Sequence, residues 1–168
     1  MSVKSGKCIR FEEGKTRPMG RNASGVRGVR LKDGNDEVIG MLSVNDMDSD
    51  ILVVSENGYG KRSKLDDYRI TNRGGKGVKT ISITEKTGDL VSIKNVSDGD
   101  DLMIINKSGI AIRMEVSSLR VMGRATQGVK LINLKDNDSI AAVAKVVLDD
   151  EEVQDIDDID VVDDDQIN

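Results

Sequence analysis

The chain has 168 residues with no His, no Trp, one Phe and one Cys, so it lacks the usual general base, the commonest metal ligand and most large stacking rings, and it cannot form an internal disulfide. No apolar run approaches the roughly 20 residues of a membrane helix, and a cytoplasmic protein without a membrane partner is expected. Of the 30 acidic residues, 11 fall within residues 149–168, which hold no Lys or Arg; residues 1–148 therefore carry 25 basic against 19 acidic side chains, a net charge of +6, and a basic body before an acidic tail points to a polyanionic partner.

The first predicted element is a turn at Ser5-Gly6, which returns at Asn57-Gly58 and at Ser108-Gly109, spaced by 52 and then 51 residues. A period of this size signals a propeller, solenoid or array. The first unit, residues 1–49, has only four residues ahead of its turn, so its opening strand is expected to be mostly missing. Such a cut leaves an unpaired edge that another strand or another chain should cover, which implies self-association through the truncated blade. Pro18 falls in the long loop, where a missing amide donor does no harm. Gly25-Val26 opens an extended stretch, and a strand closes the unit over 38–42.

The second unit, residues 50–100, opens with Asp50-Ile51-Leu52-Val53-Val54, an apolar run of strand length, and the turn after it makes a hairpin. Gly77-Val78 then opens a stretch over 78–84 that alternates with period two, and a strand follows over 90–96. The third unit, residues 101–148, repeats the order with Asp101-Leu102-Met103-Ile104-Ile105, then Gly128-Val129, then a strand over 140–147. Residues 149–168 read as an acidic disordered tail. The predicted fold is all-β: a propeller-like array of four-stranded antiparallel blades in three repeats, each drawing its strands from its own unit, with the first incomplete.

Aligning the units leaves four basic columns. They are Arg10, Arg62 and Arg113; Arg17, Arg69 and Arg120; Arg21, Arg73 and Arg124; and Arg27, Lys79 and Lys130. Stacked units turn each column into a row of cations, which suits the regular anions of a phosphate backbone. The Arg fork matches phosphate oxygens in particular. The stretch Arg73-Gly74-Gly75-Lys76-Gly77 adds glycines that permit positive φ and close approach to a ligand, with two cations at that point.

Other motifs fail on inspection. The glycine stretch is no nucleotide loop, because Val78 stands where Ser or Thr is needed and a strand follows. Asp46, Asp48 and Asp50 start like a calcium loop, but Ile51 and Asn57 occupy the Gly and Glu positions. Tyr59 aligns with Lys7 and Ile110, and Tyr68 with Thr16 and Leu119, which makes both packing residues. Cys8 aligns with Gly60 and Ala111 at a small-residue position. No catalytic residue, metal site or cofactor is expected.

Three stretches carry a resemblance: Ser5-Gly6-Lys7-Cys8-Ile9-Arg10-Phe11, the loop Met19-Gly20-Arg21-Asn22-Ala23-Ser24-Gly25-Val26-Arg27, and its partner Met122-Gly123-Arg124-Ala125-Thr126-Gln127-Gly128-Val129. They resemble the C-terminal repeats of the DNA gyrase A family, over residues 3–147. The resemblance implies a β-pinwheel that wraps duplex DNA on a basic rim, within an A2B2 complex of gyrase A and gyrase B that introduces negative supercoils at the expense of ATP. With duplex DNA as the polyanion, the expected DNA-binding residues are the four columns together with Gly74, Gly75 and Lys76. The family's Gln-Arg-Arg-Gly-Gly-Arg-Gly box is matched only in its second part, by residues 73–77, with Thr71-Asn72 in place of its start. An intact box is therefore expected upstream. The alternatives are the equivalent domain of topoisomerase IV, which shares the blade, and a propeller-like module that meets an acidic protein.

Overall fold

A computed structural model describes residues 1–135 and 137–146. The acidic tail, and the end of the strand expected over 140–147, lie outside the described residues. Each unit begins with a hairpin: β1 (Ser2–Val3) with β2 (Lys7–Cys8), β4 (Asp50–Ser55) with β5 (Tyr59–Lys64), and β8 (Asp101–Asn106) with β9 (Ala111–Glu115). The turns close through Gly6, Gly58 and Gly109 at φ of 78°, 79° and 86°, left-handed values that a side chain resists. A single turn of 3-10 helix follows each hairpin, at Glu13–Lys15, Leu65–Asp67 and Val116–Ser118. The last strand of each unit, β3 (Val38–Gly40), β7 (Leu90–Val96) or β11 (Ile140–Val146), pairs antiparallel with the opening strand.

The outermost strand of a blade comes from the unit that follows it. Here the structure corrects the sequence reading, which drew all four strands from one unit. β6 (Val78–Lys79) leaves the second unit and pairs with β2, setting Val78 opposite Cys8 and Lys79 opposite Lys7. β10 (Val129–Lys130) leaves the third unit and pairs with β5, setting Val129 opposite Gly60 and Lys130 opposite Tyr59. The sheet orders are β3-β1-β2-β6, β10-β5-β4-β7 and β11-β8-β9. Glycine makes the crossing feasible. A Cβ on Gly77 would lie 2.5 Å from the Cys8 carbonyl oxygen, and one on Gly128 would lie 2.6 Å from that of Gly60.

The expected bare edge at the start of the chain is also corrected. β1 is short, but it lies between β2 and β3, and Met1 extends the ladder by exchanging hydrogen bonds of 3.0 and 2.8 Å with Ile9.

The apolar runs are explained by where their faces point. β4 is buried along its whole length because successive residues face opposite ways. Ile51 and Val53 enter a core shared with Cys8, Leu65, Tyr68 and Ile93. Leu52 and Val54 enter another, shared with Leu102, Ile104, Val116 and Ile132. The sheets are thus joined face to face, each contributing to the core of its neighbour. No helix among the described residues is long and apolar enough to cross a membrane.

Candidate nucleic-acid interface

The seam between consecutive units is built from backbone first. The Thr71 amide donates to the Arg10 carbonyl and the Met122 amide to the Arg62 carbonyl, each at 2.9 Å, and each marks a parallel bridge, Arg10 to Ile70 and Arg62 to Val121. The first basic column then pins the next unit's helical turn. Nη1 of Arg10 donates to the carbonyls of Leu65 and Tyr68 at 3.1 and 3.3 Å. Nε of Arg62 donates to the Leu119 carbonyl. Arg62 also pairs with Asp98 and with the buried Asp50 at 3.6 Å, and its hydrogen bond and charge hold the Asp98 carboxyl below its ordinary value. Arg62 is 8% exposed, so its guanidinium is engaged within the protein. Arg113 of the third unit pairs with Asp101 at 2.6 Å and stays half exposed.

The third column crosses the seam and keeps one side outward. Arg73 donates from Nε to the Lys15 carbonyl at 3.0 Å and from Nη1 to the Arg27 carbonyl at 3.2 Å. Arg124 donates from Nη1 to the Lys79 carbonyl at 3.0 Å. A third-column Arg of one unit therefore touches the fourth-column residue of the unit before it, Arg27 or Lys79. Arg21 is exposed. The glycine stretch makes its close approach to protein. The Gly74 amide donates to the Gly28 carbonyl at 2.6 Å and the Gly75 carbonyl accepts from the Arg30 amide at 2.8 Å.

The second and fourth columns face outward. Arg17, Arg69 and Arg120, with Arg27, Lys79 and Lys130, are exposed, as is Lys76. Exposed cations thus recur at matching positions of successive units, and such a set is able to meet a polyanion by charge.

Lys61 escaped the sequence reading. It is 1% exposed, and its ammonium donates to the Gly123 carbonyl at 2.5 Å, inside the loop that carries Arg124. Burial pulls it down to about 8, against an opposing push from Asp67. The signal was available, since its column is otherwise Ile9 and Ile112, an inward-facing pattern.

The two tyrosines and the cysteine pack. The Tyr68 hydroxyl bonds to Thr80 Oγ1 at 2.6 Å and is pushed up to about 12 by burial. The Lys86 ammonium sits 5.4 Å from the centre of the Tyr59 ring. Burial raises the Cys8 thiol above its ordinary value.

A family model described as the DNA gyrase C-terminal domain, a beta-propeller, matches residues 4–45, 49–97 and 100–146. The chain belongs to the DNA gyrase C-terminal domain family. The DNA gyrase A protein of Staphylococcus aureus strain MRSA252 is 50% identical over 150 residues, covering 88% of this chain and 17% of that relative. The same protein from strain NCTC 8325 / PS 47 is 50% identical over 140 residues, covering 82% of this chain and 16% of its own length. The chain therefore spans about a sixth of these gyrase A proteins.

A solved DNA gyrase A C-terminal domain superposes with a TM-score of 0.78 at 32% identity, covering 86% of this chain and 49% of that one. The C-terminal domain of DNA topoisomerase IV superposes at 0.80 with 22% identity, over 86% of this chain and 45% of that one, a likeness of fold alone. The strand exchange described above joins the three matched segments to one another.

Proposed function

We propose that this chain is a DNA-wrapping segment of a gyrase A protein. In this reading it binds and bends duplex DNA, largely without regard to sequence, along its exposed basic rows. It thereby supports ATP-dependent negative supercoiling by a cytoplasmic A2B2 type II topoisomerase. The carrying observation is that Arg73 donates to the Arg27 carbonyl and Arg124 to the Lys79 carbonyl across the seams, which brings the basic columns of neighbouring units together at the backbone. The family membership supports the same reading. The residues proposed to meet phosphate are Arg17, Arg69 and Arg120, Arg21, Arg73 and Arg124, and Arg27, Lys76, Lys79 and Lys130. Gly74 and Gly75 shape the loop, while Arg10 and Arg62 fix the seams and Arg113 holds the equivalent position.

The test is binding to linear duplex across a salt series, together with the linking-number change of relaxed circular DNA closed in the protein's presence. Replacing Arg17, Arg69 and Arg120 together by Ala is expected to lower the slope of log affinity against log salt by about 0.9 for each phosphate no longer neutralised. The fold should survive. Unchanged affinity and slope would remove this surface from the reading, and no binding of the unaltered chain at low salt would leave an acidic protein as the better partner.

A further inference from the structure

Lys61 is a buried charge at a position that the other units fill with Ile9 and Ile112. The position faces the loop of the unit that follows. In the first seam a Cβ on Gly75 would meet Cδ1 of Ile9 at 3.4 Å, an ordinary apolar contact. In the second seam Lys61 stands there instead, 1% exposed, with Val53 opposite it on β4. Taking an ammonium out of water is costly, and an aliphatic side chain serves the same position in both neighbouring units. Stability therefore does not account for the lysine.

Its contacts point to a different role. Nζ donates to the Gly123 carbonyl at 2.5 Å. That carbonyl closes a tight turn, accepting also from the Thr126 amide at 3.2 Å and from Thr126 Oγ1 at 3.0 Å. The residue after Gly123 in the turn is Arg124, whose Nη1 crosses to the Lys79 carbonyl at 3.0 Å. The equivalent Arg73 is fixed differently. It holds two carbonyls, those of Lys15 and Arg27. Its loop is tied to the preceding unit by the Gly74 amide on the Gly28 carbonyl and by the Arg30 amide on the Gly75 carbonyl. Of these two backbone ties the second seam keeps one, the Ser82 amide on the Thr126 carbonyl at 3.1 Å. Ala125 stands in place of Gly74, which has a φ of 77°. The ammonium of Lys61 makes up the missing tie from inside the seam.

We propose that Lys61 is a positioning residue for the phosphate contact of Arg124: its ammonium fixes the Gly123–Thr126 turn and so presents the arginine to DNA. The inference rests on the DNA-binding reading above. It carries a proton coupling. The charged groups that face Lys61 are Asp67, in the helical turn after its own strand, and Arg124 in the loop. Burial draws the ammonium down to about 8; Asp67 opposes this and Arg124 adds to it. A phosphate on Arg124 offsets that repulsion, so the complex favours the protonated lysine, and binding takes up a proton where the free chain has begun to lose one. Affinity for DNA should fall as pH rises through 8.

The test is binding of the full chain to labelled linear duplex, at constant low salt, from about pH 7 to about pH 9, either side of the value for Lys61. Lys61→Met puts an apolar side chain where isoleucine stands in the other units, so the fold should survive. At pH 7 it should bind about fivefold more weakly than the parent, the cost of immobilising one long side chain on binding. The two should converge toward pH 9, because the parent loses its ammonium and the variant has none. Any other group that titrates in this range is common to both chains. In a chain that already carries Arg124→Ala, Lys61→Met should weaken binding no further. A flat pH profile for the parent, equal affinity of parent and Lys61→Met at pH 7, or the same fivefold loss in the Arg124→Ala chain overturns the inference and leaves the DNA-binding reading standing. A parent chain that binds no duplex at any pH removes that reading, and the inference with it.

Discussion

The same substitution at matched glycines separates backbone strain from strand exchange. Gly25, Gly77 and Gly128 share a left-handed conformation, at φ of 79°, 70° and 83°. Alanine there costs about 1–2 kcal/mol for the conformation alone. For Gly25, with open space around it, that is the whole effect within a single chain. At Gly77 the new Cβ falls 2.5 Å from the Cys8 carbonyl oxygen and 2.9 Å from its carbon, both rigid backbone. Relief requires β6 to move off β2, and each hydrogen bond broken adds about 1 kcal/mol. Gly77→Ala and Gly128→Ala should therefore cost about 2 kcal/mol more than Gly25→Ala. For a chain of this size, that is a further fall in Tm of about 4–8 °C. Thermal unfolding followed by circular dichroism reads the difference. Equal losses at Gly25 and Gly77, within about 0.5 kcal/mol, would refute the argument that these glycines exist to admit the exchanged strand.

Arg62→Ala should destabilise the fold by roughly 3 kcal/mol, because it removes the seam bond to the Leu119 carbonyl and the pairing with Asp98, and leaves the buried Asp50 with Lys64 as its remaining partner. Arg69→Ala, at an exposed position, should stay within about 0.5 kcal/mol of the parent while weakening DNA binding; urea unfolding of both variants reads the contrast. For Lys61, the folded value is depressed to about 8, so its contribution to stability is present at high pH and lost as pH falls through 8. Lys61→Met should therefore be most favoured over the parent near neutral pH, with the advantage shrinking as pH rises from about 8 toward the ordinary lysine range. Parallel melting curves against pH for the two proteins would rule this out.

The hairpins and the closing strands were legible because their signals are local. A run such as Ile51-Leu52-Val53-Val54 before Asn-Gly fixes both a strand and its turn, and the left-handed φ at Gly58 is the reason for the glycine. The exchange was not legible. The alternation over 78–84 predicts an extended segment but carries no mark of which sheet it joins, and only Val78–Lys79 forms a strand. The clue lay in the glycines ahead of it, whose missing side chains record an approach of backbone to backbone. The reading of the basic columns mixed two environments for a similar reason. Charge and repetition are visible in sequence, whereas burial of a guanidinium against carbonyls of the next unit is not. Arg62 and Arg69 look alike in the alignment, yet one lies inside a seam and the other outside it.

That division makes the seams and the basic surface one device. An Arg guanidinium has five N–H donors in a fixed plane. In Arg73 the Nε and Nη1 groups hold the carbonyls of the preceding unit at Lys15 and Arg27. The remaining donors are free to face outward, where a phosphate can take them. In the proposed function, a side chain that meets phosphate is thus oriented by the contact that joins the units, and its loss of rotamer freedom is met in folding rather than on binding. Lysine has three donors on one rotating ammonium and lacks the fixed planar fork that holds two directions at once. Arg at the two seam-crossing positions, Arg73 and Arg124, suits that geometry, whereas the exposed fourth column mixes Arg27 with Lys79 and Lys130.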